Sequence, residues 1–180
     1  MAAVCVRAGS IAELVGMIPS ILGFFPSGSV VLVGMLSSED RPGSRVGPIA
    51  LVGLAAGDAL ASGELWRSAV LPLAREGVTE VHFVAFEEQG TAESAVTAAL
   101  TGVTAATAGV GVSIGEAVRV REGRLFSVSS SAGLPSEGVL VPSGADLPGL
   151  APLVAAGVAP TASLAELVSA FQAGSAEQDR

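Results

Sequence analysis

Hydrophobic residues recur along this chain with two periods, and glycine, proline and serine mark the places where one period gives way to the other. From Ser10 the spacing is helical: Leu14, Ile18, Ile21 and Leu22 fall on one side, Ser10 occupies an N-cap position, and Glu13 follows at capping-box spacing. The chain then carries no charge from Leu14 to Ser38, which raises the question of a membrane span. A spanning helix needs about 20 consecutive apolar residues without strong breakers, and Pro19, Gly23 and Pro26-Ser27-Gly28-Ser29 interrupt this run. The pattern predicts a helix over Ser10 to Leu22, a tight turn, and a strand from Ser29 to Leu36. In that strand Val30-Val31-Leu32-Val33 is apolar on both alternating sides, the mark of a strand covered on both faces. A secretory leader is not expected, because the only early basic residue is Arg7 and Glu13 breaks the start of the apolar run.

Beyond the polar segment Ser37 to Ser44, a second strand is predicted over Val46 to Leu54, beside the first. Asp58 is placed to cap a helix from Ala59 to Glu76, with Leu60, Leu65, Trp66, Val70 and Leu73 inward, Pro72 as a kink point and Gly77 as the stop. A strand over Val78 to Phe86 follows. Thr91 and Ser94 open a helix to Ala108 that is rich in alanine and threonine and carries one charge, Glu93, so it should pack close to its neighbours. Val112 to Val120 and Arg124 to Val128 read as a hairpin around Arg121-Glu122-Gly123, with glycine where positive φ is wanted. Ser129 to Gly149 is too broken for a regular element, and short helices over Leu150 to Ala156 and Ser163 to Ala173 lead into a mobile tail from Gly174. Strands alternating with helices give an α/β fold, a layered single domain over residues 1–173 with a mixed β-sheet flanked by helices, and a tail over 174–180.

Composition adjusts this picture in three places. Half of the 180 residues are hydrophobic and 14% are charged, so the core is large for the chain. The net charge is −8, every basic residue is arginine, and the arginines are scattered, which argues against nucleic acid and against an anionic membrane surface as partners. The single cysteine, Cys5, allows no internal disulfide and suits a reducing cytoplasm, where it reads as a buried small hydrophobe in a first strand.

"IAELVGMIPSILGFFPSGSVVLVGM", then "VGPIALVGL", "EAVRVREGRLFSV", "LPSEGVLVP" and "APTASLAELVSAF" together span nearly the whole chain. In these stretches the sequence resembles the actinobacterial domain-of-unknown-function 4192 family. The resemblance implies the fold and an actinobacterial or phage source, and it carries no activity. Three departures fall where polar chemistry would sit: Phe25 stands where the family has histidine before the proline, Leu51-Val52-Gly53-Leu54 replaces a charged strand, and no cysteine occurs around Ser130 to Leu134. A catalytic or metal site of the family at those positions would lack its side chains here.

The chemistry available is sparse. Acid–base and metal sites gather several His, Cys, Asp or Glu groups, and this chain has one histidine, one cysteine, no lysine and no tyrosine. His82 lies in "EVHFVAF" on the face opposite Val81 and Phe83, as a part-buried, satisfied histidine would, and no serine sits in a GxSxG elbow. Of two glycine-rich turns, Gly53 to Asp58 has its own carboxylate where a phosphate would go, and Gly109 to Gly115 leads into a strand. No catalytic residue, metal site or cofactor is assigned. The candidate ligand-binding residues are Glu137, within the long Ser129 to Gly149 loop, and Arg124, ahead of it. The function expected is that of a non-catalytic cytoplasmic protein acting through self-association, most simply as a homodimer, or through binding another protein. The alternative is a small-molecule-binding protein or enzyme using the Ser129 to Gly149 loop. The helix over Thr91 to Ala108, small and apolar on both sides, is the expected dimer contact, with Ala99 and Ala106 as its test positions if they face outward.

Overall fold

The computed structural model of the chain describes residues 9–37, 44–129, 133–143, 146–147, 150 and 159–178. Cys5, the segment joining the first two strands, parts of the Ser129 to Gly149 loop and the expected helix over Leu150 to Ala156 lie outside the described residues. The chain divides into two compact units, one holding Gly28–Val141 and the other Arg7–Ser27 with Pro142–Arg180.

Among the described residues the larger unit is a six-stranded mixed sheet with two α-helices. Its strands are β1 (Ser29–Ser37), β2 (Ser44–Gly53), β3 (Glu80–Phe86), β4 (Ser113–Arg121), β5 (Arg124–Ser127) and β6 (Val139–Leu140), in spatial order β2-β1-β3-β4-β5-β6. All neighbours are antiparallel except β3 and β4, which run parallel and are joined through helix α3 (Glu93–Ala108). Gly28, at φ +65°, makes the turn into β1, and Val30 to Val33 are fully buried on both alternating faces, as the apolar run requires. Val30, Leu32, Val81, Phe83, Ala85 and Ala117 form one core with Trp66 and Val70 of helix α2 (Gly63–Arg75) and with Val96, Ala99 and Val103 of α3.

Three local expectations are corrected. First, Asp58 does not cap α2. The chain leaves β2 through a 3₁₀ segment, Leu54–Ala61, that is broken at Gly57 with φ +59°, and α2 begins only after Ser62, whose Oγ accepts the Glu64 N–H at 3.3 Å. Its stop is as expected: Gly77 at φ +82° closes a Schellman pattern, its N–H reaching the Ala74 carbonyl and that of Val78 reaching Leu73. Second, α3 begins without a side-chain cap. The Thr91 hydroxyl instead accepts the Glu88 N–H at 3.0 Å, and the Thr91 N–H closes the same turn on the Glu88 carbonyl. Third, Val139–Leu140, within the segment read as irregular, adds the short edge strand β6 to β5.

The orientation of α3 is also settled. Ala99 and Ala106 point into the core, so they are not positions on an outer face. Outward stand Thr97, Thr101 and Thr104, whose hydroxyls bond carbonyls of their own helix, those of Glu93, Thr97 and Leu100. The helix has a polar row after all, invisible to a scan that counts only charges.

In the smaller unit, helix α1 (Ile11–Leu22) is capped as its spacing predicts, Ser10 Oγ accepting the Glu13 N–H at 3.2 Å, while the Glu13 carboxylate accepts the N–H of Gly9, one residue before the cap, at 2.6 Å. Gly23, at φ +81°, ends it. Thr161 pairs with Phe24 in an isolated parallel bridge and leads into helix α4 (Leu164–Gln178), which continues past Ala173, where the sequence pattern ends it. Ser163 and Glu166 repeat the same arrangement there.

Candidate functional site

Arg124 follows directly on the two-residue turn Glu122-Gly123, both at positive φ (50° and 73°), which is the conformation that suits a tight hairpin. Its Nε donates to the Glu137 carbonyl at 2.9 Å and its Nη2 to the Gly138 carbonyl at 3.1 Å. The two residues named from sequence therefore meet, but through the main chain of Glu137. The Glu137 carboxylate accepts a long bond from Ser136 Oγ. Gly138 has φ +71°, and a Cβ there would lie 2.7 Å from the Phe126 ring, so the chain turns tightly against β5 at this point. Chemically, the Arg124 fork is an anchor: it holds the turn that delivers β6 to its pairing with Arg124 and Leu125.

His82 sits at an irregularity between β3 and β4, where the parallel register jumps from Val81 opposite Ile114 to Phe83 opposite Ala117. The jump frees the Glu116 N–H from the ladder, and His82 Nδ1 accepts it at 2.9 Å. Glycine at 115 is required because a Cβ would lie 2.8 Å from the imidazole. With Nδ1 accepting, the neutral ring carries its proton on Nε2, which stands 3.7 Å from Glu80 Oε1. Burial lowers the His82 pKa below its ordinary value, against the opposing pull of Glu80 and Glu116.

A third cluster, passed over by the sequence reading, lies at the carboxyl ends of β3 and β4. Glu87 leaves β3 with its N–H on the Val120 carbonyl, and its side chain is only 2% exposed. Arg121 Nε donates to Glu87 Oε2 at 2.6 Å, and Arg119 Nη1 stands 3.6 Å from Oε1 and 3.1 Å from Glu93 Oε1 at the start of α3. The bond to Glu87 raises the Arg121 pKa. The Arg119 guanidinium also lies 5.9 Å from the centre of the Phe126 ring, within cation–π range. Two arginines thus flank one buried carboxylate, the arrangement that makes ionising it tolerable. The network joins β3, β4, β5 and α3. Its sequence signal was present: Arg119 and Arg121 are two apart, hence on one side of a strand, and Glu87 directly follows the neighbouring strand.

Next to this network is a cavity of about 450 Å³ lined by Glu87, Glu88, Gln89, Gly90, Thr91, Arg121 and Glu122. It lies between the closed turn Glu88 to Thr91 and the β4–β5 hairpin turn, outside the carboxyl end of the one parallel strand pair, where α/β sheets commonly receive ligands. Among the described residues no group of three or more His, Cys, Asp or Glu side chains could hold a metal ion.

The family model for a domain of unknown function, DUF4192, matches residues 12–180. The chain belongs to the DUF4192 family. No curated protein and no solved structure matches it. Within this DUF4192 chain, Phe25 is 52% exposed, with its N–H on the Thr161 carbonyl at 3.1 Å. Leu51, in β2, is 37% exposed.

Proposed function

We propose that the protein is a non-catalytic binding protein that acts by associating with a second copy of itself, most simply as a dimer, or with another protein. The observation that carries this reading is the outer edge of β2, which no described residue pairs. That strand is ten residues long, lies at the edge of the sheet, pairs with β1 alone among the described residues, and has no charge from Val46 to Gly53. Proteins that remain monomeric blunt such edges with charges, proline, bulges, short strands or a covering element, since an open row of backbone donors and acceptors recruits another strand; in β2 such devices, Arg45, Pro48 and the ladder slip beside it, are confined to the first half, and Ile49 to Gly53 has none. The non-catalytic part is supported by His82, whose Nδ1 is committed to the Glu116 N–H. Sedimentation equilibrium at micromolar concentration tests the association, with a mass of two chains expected. A mass of one chain that does not rise on concentration, with no protein retained from a lysate of the source organism, removes the proposal.

A second reading, binding of a small polar molecule, is favoured by the cavity beside Glu87 and Arg121. Scanning calorimetry against a metabolite panel separates the two, because only this reading predicts melting that rises with a ligand.

A further inference from the structure

We infer that the edge of β2, together with the flank of α2 above it, receives the same edge of a second copy in an antiparallel, two-fold pairing. The inference rests on the self-association proposed above and assigns it a surface.

The pairing segment follows from the register. Between Val33 and Met35 the β1–β2 ladder shifts, leaving Gly47 and Pro48 in an irregular stretch, and Pro48 has no N–H to offer a new strand. From Ile49 to Gly53 the ladder against Val33 to Ser29 is unbroken. A strand that pairs antiparallel with its own copy about a two-fold axis has a central residue, and for Ile49 to Gly53 that residue is Leu51. Leu51 then faces Leu51 of the second copy, Ala50 faces Val52, and Ile49 faces Gly53. The segment has no charge to oppose itself, and the antiparallel arrangement carries Arg45 away from its own copy. Leu51, 37% exposed in the single chain, gains a neighbour of its own kind.

The flank of α2 supplies the reason that the occupant is a second copy. The helix begins near the end of β2, after the 3₁₀ segment. It ends near Pro48, where Gly34 lies close to both the Pro48 carbonyl and the Val78 side chain, so α2 runs opposite to β2. Ser68, Ala69, Pro72 and Leu73 face Pro48, Ile49 and Ala50 across a groove of about 440 Å³. A two-fold axis through Leu51 turns this groove into the seam between two antiparallel α2 helices, and the small residues along it permit close approach. Glu64 in the first turn of α2 and Arg75 in the last are both exposed. Antiparallel docking brings Glu64 of each copy toward Arg75 of the other, so the pair forms twice. The chain as a whole carries −8, which opposes random self-approach, whereas the exposed charges of α2, Glu64, Arg67 and Arg75, together with Glu76 just past its end, sum to zero.

Charge reversal provides the test. In sedimentation equilibrium, Glu64→Arg and Arg75→Glu should each weaken the dimer about tenfold, since two attractive surface pairs become repulsive, and the double variant E64R/R75E should return to within about threefold of the parent. Leu51→Cys in a Cys5→Ser background should oxidise to a covalent dimer, because directly opposed positions bring the sulfurs within reach. Circular dichroism confirms that each variant is folded. A parent that stays a single chain at all concentrations overturns this surface and the self-association together. A dimer indifferent to both reversals, with no cross-link at position 51, overturns the surface alone. A dimer disrupted only in the presence of another protein's strand assigns the edge to that partner and likewise overturns the inference.

Discussion

A methyl group on Gly102 would lie 2.3 Å from the Leu60 carbonyl oxygen and 2.4 Å from Trp66 Cδ1. That crowding marks a tight junction, where α3 passes over the fully buried indole whose Nε1 donates to the Leu60 carbonyl at 2.7 Å. Gly102→Ala should therefore cost about 3 kcal/mol, the upper end for overpacking, because the methyl must displace main chain as well as ring. Gly53→Ala, with nothing within 4 Å of the added carbon, is the control and should stay within about 0.5 kcal/mol in urea unfolding. Equal midpoints for the two variants would refute the crowding account. His82 makes a different kind of prediction. Its folded pKa lies below the ordinary 6.5, so the unfolded chain takes up a proton first on acidification. Its contribution is present above about pH 6.5 and is lost as pH falls through the folded pKa. His82→Gln, which keeps an acceptor for the Glu116 N–H, should flatten the decline in stability between about pH 7 and pH 5, and a parallel decline in both proteins would exclude this role. Alternation in "EVHFVAF" was enough to place His82 on the face away from Val81 and Phe83. Its hydrogen bond was not legible, because the partner lies 34 positions away and is freed only by the slip in the β3–β4 ladder.

Where a helix begins is a contest between candidate caps, and α2 shows how closely matched they are. Asp58 and Ser62 are both N-cap residue types. Ser62 wins because the chain needs the 3₁₀ segment, with Gly57 at positive φ, before a helix can start over the sheet. Ser62→Ala should cost about 1 kcal/mol, while Asp58→Ala should change stability by less than about 0.5 kcal/mol. Thermal melts of the two variants decide between the caps, and a larger loss from the aspartate change would restore it as the cap. The elements most legible in the sequence were those whose signals are local. The Ser10 cap of α1, the breakers from Pro26 to Ser29, and Glu122-Gly123 in the β4–β5 hairpin all sit within a few residues of what they control. β6 was missed for the opposite reason. Two residues have no periodicity, and their strand exists because Arg124, thirteen or more positions earlier, grips the carbonyls of Glu137 and Gly138. The outer row of α3 was misread because threonine hydroxyls bonded to their own helix supply polarity without charge.

At the scale of the whole molecule, the charge-free run from Leu14 to Ser38 divides between the two units, and Val15, Ile18 and Val30 to Val33 are fully out of solvent. Among the described residues no helix is long and apolar enough to cross a membrane. Expression without detergent should leave the chain in the high-speed supernatant, and a requirement for detergent to release it from the pellet would contradict this account of the run. The order of the β-sheet also explains why the ion network escaped a linear scan: Glu87, Glu93, Arg119 and Arg121 converge only because β3 and β4 run parallel, with Phe86 beside Val120. The composition of the smaller unit, finally, bears on how the chain is made. Its helix α1 leaves the ribosome well before the chain it meets, because Gly16 packs against Pro142 and Leu147, and Gly23 against Leu167 and Thr161. At ordinary elongation rates those partners emerge on the order of ten seconds later. Throughout that interval Leu14, Val15, Met17 and Ile18, buried in the finished fold, form an apolar nascent stripe while the part of their unit from Pro142 onward is still unsynthesised. A nascent chain built this way is an attractive client for a ribosome-associated chaperone. Its yield should respond to translation speed more than that of a chain whose first helix packs on its immediate successors.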